Sequence, residues 1–166
     1  MKDIIDTAIV PEVATSQSAG TPKVSFSHIL APTDFSPNSD MAINYAIHLA
    51  QRLGAKLTLL HIVPEPSALD YPMGGISTEE IERWQREAEE RLANQLTRAK
   101  LVYQEVDTVQ HTALHPRDEI VRAVSDLSAD LLVISTHGYT GWKHFLFGSD
   151  AEKILEHAPC PVLVLR

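Results

Sequence analysis

Phe26-Ser27-His28-Ile29-Leu30-Ala31-Pro32-Thr33-Asp34-Phe35-Ser36-Pro37 opens a stretch that decides the fold once it is read through to Val63. The apolar run Phe26 to Ala31 stops at Pro32-Thr33-Asp34, which reads as a strand followed by a loop. Ser36 before Pro37 is a helix start: the hydroxyl caps a free backbone N–H, and proline takes the first helical position, where its missing N–H costs nothing. Ala42, Tyr45, Ala46, Leu49, Ala50 and Leu53 then recur at helical spacing, and Gly54 stands where a left-handed residue closes a helix. Leu57 to Val63 is a second strand, closed by Pro64 and Pro66. The unit is strand, helix, strand.

Outward from this unit the alternation continues. After a Pro/Gly-rich loop from Pro64 to Gly75, Ser77 and Glu80 have the spacing of a capping box. The helix behind it carries Ile81, Trp84, Ala88, Leu92, Leu96 and Ala99 on one face. Its Glu79/Arg83, Glu82/Arg86 and Glu87/Arg91 pairs are four residues apart, the acid first, and read as a solvated helix face. Val106 to Leu114 is a third strand, and Pro116 opens a helix built on Ile120, Val121, Val124 and Leu127. Leu131 to Ile134 is a fourth strand, Ser149 to His157 a last helix, and Val162 to Leu165 a fifth strand. Strands written as continuous apolar runs and alternating with helices predict an α/β domain: a five-stranded parallel sheet, doubly wound, with helices on both faces. Ligands of such sheets bind at the carboxyl ends of the strands, where the chain order reverses. Residues 1–24, with the small polar run Thr15 to Pro22, read as a flexible tail ahead of a domain at 25–166.

The 166 residues are 44% hydrophobic and 22% charged, enough to bury a core without a disulfide or metal staple. The net charge of -8 argues against a nucleic-acid backbone or an anionic membrane surface as partner. No apolar run is long enough to cross a bilayer, and the start of the chain lacks a continuous apolar signal segment. A lone cysteine, Cys160, fits a reducing compartment, so the expected location is the cytoplasm.

The segment after the fourth strand carries the chemistry. Ser135-Thr136-His137-Gly138 runs through Tyr139 to Phe147 into Gly148-Ser149, with Glu152 completing a second capping box. A helix N-terminus preceded by glycine presents free N–H groups and a positive dipole end to an anion, and glycine admits close approach. The loop therefore reads either as a wrap for a polyphosphate or as plain capping by Ser149. It matches neither the P-loop nor the dinucleotide spacing.

Ile29 to Ser36, Leu59-Leu60-His61-Ile62-Val63, the Gly138…Gly148-Ser149 loop and the ending Ala158-Pro159-Cys160-Pro161-Val162-Leu163-Val164 together resemble the universal stress protein family. The resemblance spans about residues 24–166. It implies ATP as ligand. The family's nucleotide-binding branch has glycine, two residues, glycine, nine residues, then Gly-Ser or Gly-Thr. Laid on this chain, the pattern falls on Ser135, Gly138, Gly148 and Ser149. By resemblance, Gly138, Gly148 and Ser149 hold the phosphates, with His137 as a phosphate neighbour. Pro32, Thr33 and Asp34 then lie beside the adenosine, Ile62 near the adenine edge and Ile134 on the ribose side. Two positions depart from the pattern. Ser135 replaces the first glycine, and Asp150 follows Gly148-Ser149, where its charge opposes a phosphate unless a Mg2+ ion bridges them.

The other candidates are weaker. His111 and His115 lack the spacing of a structural zinc site, and no Gly-x-Ser-x-Gly elbow accompanies Ser149. Cys160 reads as a small packed residue, and Trp84 and Trp142 as packing residues. The apolar fifth strand at the chain end needs cover if it forms a sheet edge, and pairing of two copies through 162–165 supplies it, as the resemblance also implies. The expected function is an ATP-binding cytoplasmic stress-response module with slow or no hydrolysis. The alternative is a dimeric interaction protein of the same fold that binds no nucleotide, with its protein partner unknown.

Overall fold

The computed structural model describes residues 25–65, 77–135 and 150–165, the last stretch without the side chains of residues 150–152. The expected tail at 1–24 and most of the Pro/Gly-rich loop lie outside the described residues. Nine elements alternate: β1 (His28–Thr33), α1 (Pro37–Leu53), β2 (Lys56–Pro64), α2 (Thr78–Lys100), β3 (Val106–Ala113), α3 (Pro116–Asp126), β4 (Leu131–Ser135), α4 (Asp150–His157) and β5 (Val162–Leu165). All five strands are parallel, in the order β3-β2-β1-β4-β5. The doubly wound sheet expected from the alternation is present.

Local capping works as the residues dictate. Ser36 Oγ accepts from the Ser39 N–H, and Gly54 closes α1 at φ 67°, a left-handed conformation that costs a glycine nothing. Ser77 and Glu80 form both bonds of the capping box at the start of α2. Period-two alternation along the strands sends side chains to two separate apolar layers. Ile29, Ala31, Leu57, Leu59 and Val133 pack with Ile43, Ala46, Ile47 and Ala50 of α1 and with Leu92 and Ala99 of α2. Leu30, Leu60, Ile62, Leu132 and Ile134 pack on the opposite face with Ile120, Ala123 and Val124 of α3 and Ile154 of α4. Two helices therefore cover each face.

Several expectations need correction. The first strand does not stop at Ala31: Pro32 and Thr33 belong to it, because β2 continues alongside and pairs Pro32 with Leu60 and Thr33 with His61. On α1, Tyr45 and Leu53 are exposed, while Ile43 and Ile47 take their place against the sheet. The buried stripe is rotated about the helix axis, while Ala42, Ala46 and Ala50 are buried in either reading. On α2, Arg83 faces Glu80 rather than Glu79, at 3.9 Å, and only Glu82/Arg86 keeps the four-residue pairing, at 3.6 Å. Arg91 leaves Glu87 for the loop after β1, so the charged face of α2 is not wholly solvated.

Glu119 of α3 is a buried carboxylate, 6% exposed, held by Arg122 Nη2 at 2.7 Å and by His111 Nδ1 from β3. Burial alone pushes its pKa up, but the bonds from Arg122 and His111 outweigh it and hold the carboxyl below its usual range. A depressed folded-state value means the stabilisation is complete above the unfolded carboxylate pKa and is lost as pH falls through the folded one. Glu119→Gln is therefore expected to lower stability by about 1.5–3 kcal/mol near neutral pH, with the gap closing under acid. Urea unfolding of both proteins from neutral pH into the acid range checks this; a gap independent of pH would mean the charge contributes nothing.

Candidate functional site

The chain order reverses between β1 and β4, and in open parallel sheets that reversal is where ligands bind, at the carboxyl ends of the strands. The ladder between these strands pairs Ile29 with Leu131 and Leu30 with Leu132 and goes no further, although β1 runs on to Thr33 and β4 to Ser135. Pro32 contributes to this ending, because it has no N–H to donate. Six of the sequence-predicted residues, Pro32, Thr33, Asp34, Ile62, Ile134 and Ser135, thus come to one end of the sheet on three neighbouring strands. His137, Gly138, Gly148 and Ser149 lie outside the described residues. Asp150 is the first residue of α4, and its side chain is likewise outside them.

Ile62 and Ile134 are 1% and 5% exposed and belong to the apolar layer under α3 and α4. Asp34 is half-buried, and its Oδ1 accepts from the Ser36 N–H at 3.0 Å, tying the loop to the start of α1. Thr33 turns the other way, into the α1/α2 face. Its Oγ1 accepts from the Phe35 N–H at 3.0 Å and from Gln95 Nε2 at 3.3 Å.

Sequence reasoning missed the residues that shape this loop. Phe35 has φ 60°, a left-handed conformation that costs a residue with a Cβ roughly 1–2 kcal/mol. Contacts from both sides offset it. The Arg91 guanidinium lies 4.3 Å from the ring centroid and donates to the Phe35 carbonyl at 3.3 Å, and the His61 ring lies beneath at 4.2 Å. Burial, assisted by the nearby Arg91 charge, pushes the His61 pKa down, so the imidazole is neutral near pH 7 and its Nδ1–H donates to the Thr33 carbonyl at 2.8 Å. Gln95 carried a signal: it continues the buried stripe of Ala88, Leu92 and Ala99, where a polar side chain needs partners. Arg91 carried none, since its distance from Glu87 fits an ordinary helix pair. Elsewhere, burial pushes the Cys160 thiol up, away from a reactive thiolate.

A model of the universal stress protein family matches residues 25–166. The chain belongs to the universal stress protein family. A universal stress protein of Methanocaldococcus jannaschii is 31% identical over 144 residues, covering 85% of this chain and 82% of the relative. Among solved structures, the universal stress protein UspA from Lactobacillus plantarum matches with a TM-score of 0.67 at 23% identity, over 86% of this chain and 99% of that one. A universal stress protein from Archaeoglobus fulgidus, solved in complex with dAMP, matches with a TM-score of 0.63 at 21% identity, over 86% of this chain and 100% of that one. These structures share the fold described above. No helix among the described residues is long and apolar enough to cross a membrane.

Proposed function

We propose that this universal stress protein binds an adenine nucleotide, ATP by preference, in the crevice between β1 and β4, and works as a cytoplasmic stress-response module. The observation that carries the reading is the early end of the β1–β4 ladder at the point where chain order reverses, with Pro32-Thr33-Asp34 on one side and Ile134-Ser135 on the other. The dAMP complex of the Archaeoglobus fulgidus relative supports the same ligand class. In this reading Asp34 and Pro32 flank the adenosine, and Ile62 and Ile134 form the apolar floor beneath the base and ribose. Backbone N–H groups of Gly138, Gly148 and Ser149 hold the phosphates, with His137 beside them. Mg2+ bridges the phosphates and offsets Asp150. Hydrolysis is slow or absent, because the sequence shows no base or arginine finger of the kind that fast phosphoryl transfer uses.

The second reading, a dimeric interaction protein without nucleotide, is favoured by the charge of Asp150 directly after Gly148-Ser149. Either module pairs through β5. Among the described residues that strand sits at the sheet edge, all four of its residues half-buried and bonded in register to β4 alone. The test is to purify the protein without nucleotide, denature it, and chromatograph the released small molecules, then titrate Mg-ATP into stripped protein. Released ATP, or binding in the micromolar range, is the expected result; no release and no binding up to millimolar ATP leaves the second reading. Light scattering on the same preparation should give a dimer, and a strict monomer at micromolar concentration overturns the pairing.

A further inference from the structure

We propose that the groove between α1 and α2 is a second ligand site, built for a small zwitterion that carries one ammonium and one carboxylate, the α-amino acid class. The groove is a cavity of about 180 Å³ lined by Phe35, Asp40, Arg91, Asn94, Gln95 and Arg98. It opens on the helix-covered side of the sheet toward which Thr33 turns, apart from the apolar layer that holds Ile62 and Ile134.

Its polar groups divide by what they need. Gln95 is 5% exposed, and its amide orientation is set by its neighbours: Nε2 lies 2.6 Å from Asp40 Oδ1, an atom that only accepts, and 3.3 Å from Thr33 Oγ1. Both N–H groups are spent, and Oε1 is buried with no partner among the described residues. That oxygen lies out of reach of the groove, so the acceptor the groove offers a ligand is the Asp40 carboxylate that Gln95 holds in place. Opposite demands come from α2. The side chains of Arg98 and Asn94 make no hydrogen bond or ion pair among the described residues, and Arg91 uses one guanidinium donor on the Phe35 carbonyl, leaving others for a ligand. Arg91, Asn94 and Arg98 are spaced at three and four residues, so they share one helix face.

A simple anion in this groove meets the guanidiniums but faces the Asp40 carboxylate, and a simple cation faces the two arginines. A zwitterion meets both. Its ammonium donates to Asp40, its carboxylate accepts from Arg98, Arg91 and Asn94, and Phe35 supplies an apolar wall. This inference does not rest on the nucleotide reading, and it is tested with nucleotide absent.

The experiment titrates the common α-amino acids singly into the full chain by calorimetry, with acetate, methylammonium and inorganic phosphate as single-charge controls. At least one amino acid is expected to bind saturably with one-to-one stoichiometry, and the controls are expected not to bind. Asp40→Asn keeps an oxygen for Gln95 but removes the charge, and Arg98→Gln alters an exposed side chain. Each should weaken binding about tenfold or more, with melting temperatures confirming that both fold. Should Asp40→Asn fail to fold, Arg98→Gln decides alone. Three results overturn the proposal: no amino acid binds at millimolar concentration, acetate or phosphate binds as tightly as the amino acid, or the folded variants keep full affinity.

Discussion

Gly148→Val is expected to weaken ATP binding by at least about 100-fold, equivalent to about 2.8 kcal/mol, while the protein stays folded. α4 begins just after this glycine. Its first residue is Asp150, so Gly148 and Ser149 lead directly into the turn whose N–H groups have no partner within the helix. Those groups and the positive end of the helix dipole are what a phosphate seeks, and a glycine just before them lets the ligand reach the backbone. A valine at that position places two methyl groups in the path. The apolar layers that hold the sheet together lie elsewhere, on β1 to β4 and the inner faces of the helices, so the melting temperature should change little. Calorimetry with Mg-ATP on wild type and variant reads the effect. Equal affinity would put the phosphates somewhere other than this loop.

Leu132→Ala is expected to cost about 2–5 kcal/mol of stability, a large part of what holds a domain of this size folded. Leu132 is fully buried in β4 and packs into the layer shared with α3 and α4. β4 is paired on both sides, with β1 and with β5, so the backbone cannot shift to fill the space the missing atoms leave. The cost is then the lost transfer energy plus that of a cavity. Urea unfolding should show a lower midpoint at an unchanged slope. A loss below about 1 kcal/mol would mean that this face packs loosely. The same substitution bears on the crevice, because Leu132 forms the last rung of the β1–β4 ladder before it ends.

What could be read from the residues alone was whatever is settled within a turn or a strand. The Ser36 cap, the Gly54 stop and the Ser77–Glu80 box all join groups no more than four residues apart, so sequence spacing already brings them within reach. The continuous apolar runs of β2 and β4 require cover on both faces, which with the intervening helices implies a parallel sheet. The family motifs were legible for the same reason, being short and in order. The tertiary structure decided what depends on which helix lies over which strand. It rotated the buried stripe of α1 from Tyr45 and Leu53 to Ile43 and Ile47, and it joined residues distant in sequence: Gln95 with Thr33 and Asp40, Arg91 with Phe35, and Glu119 with His111. Nothing near Arg91 or Gln95 in the chain names these partners. A buried polar group takes whichever donor or acceptor the packing of whole elements leaves beside it, and that choice exists only once the sheet order is set.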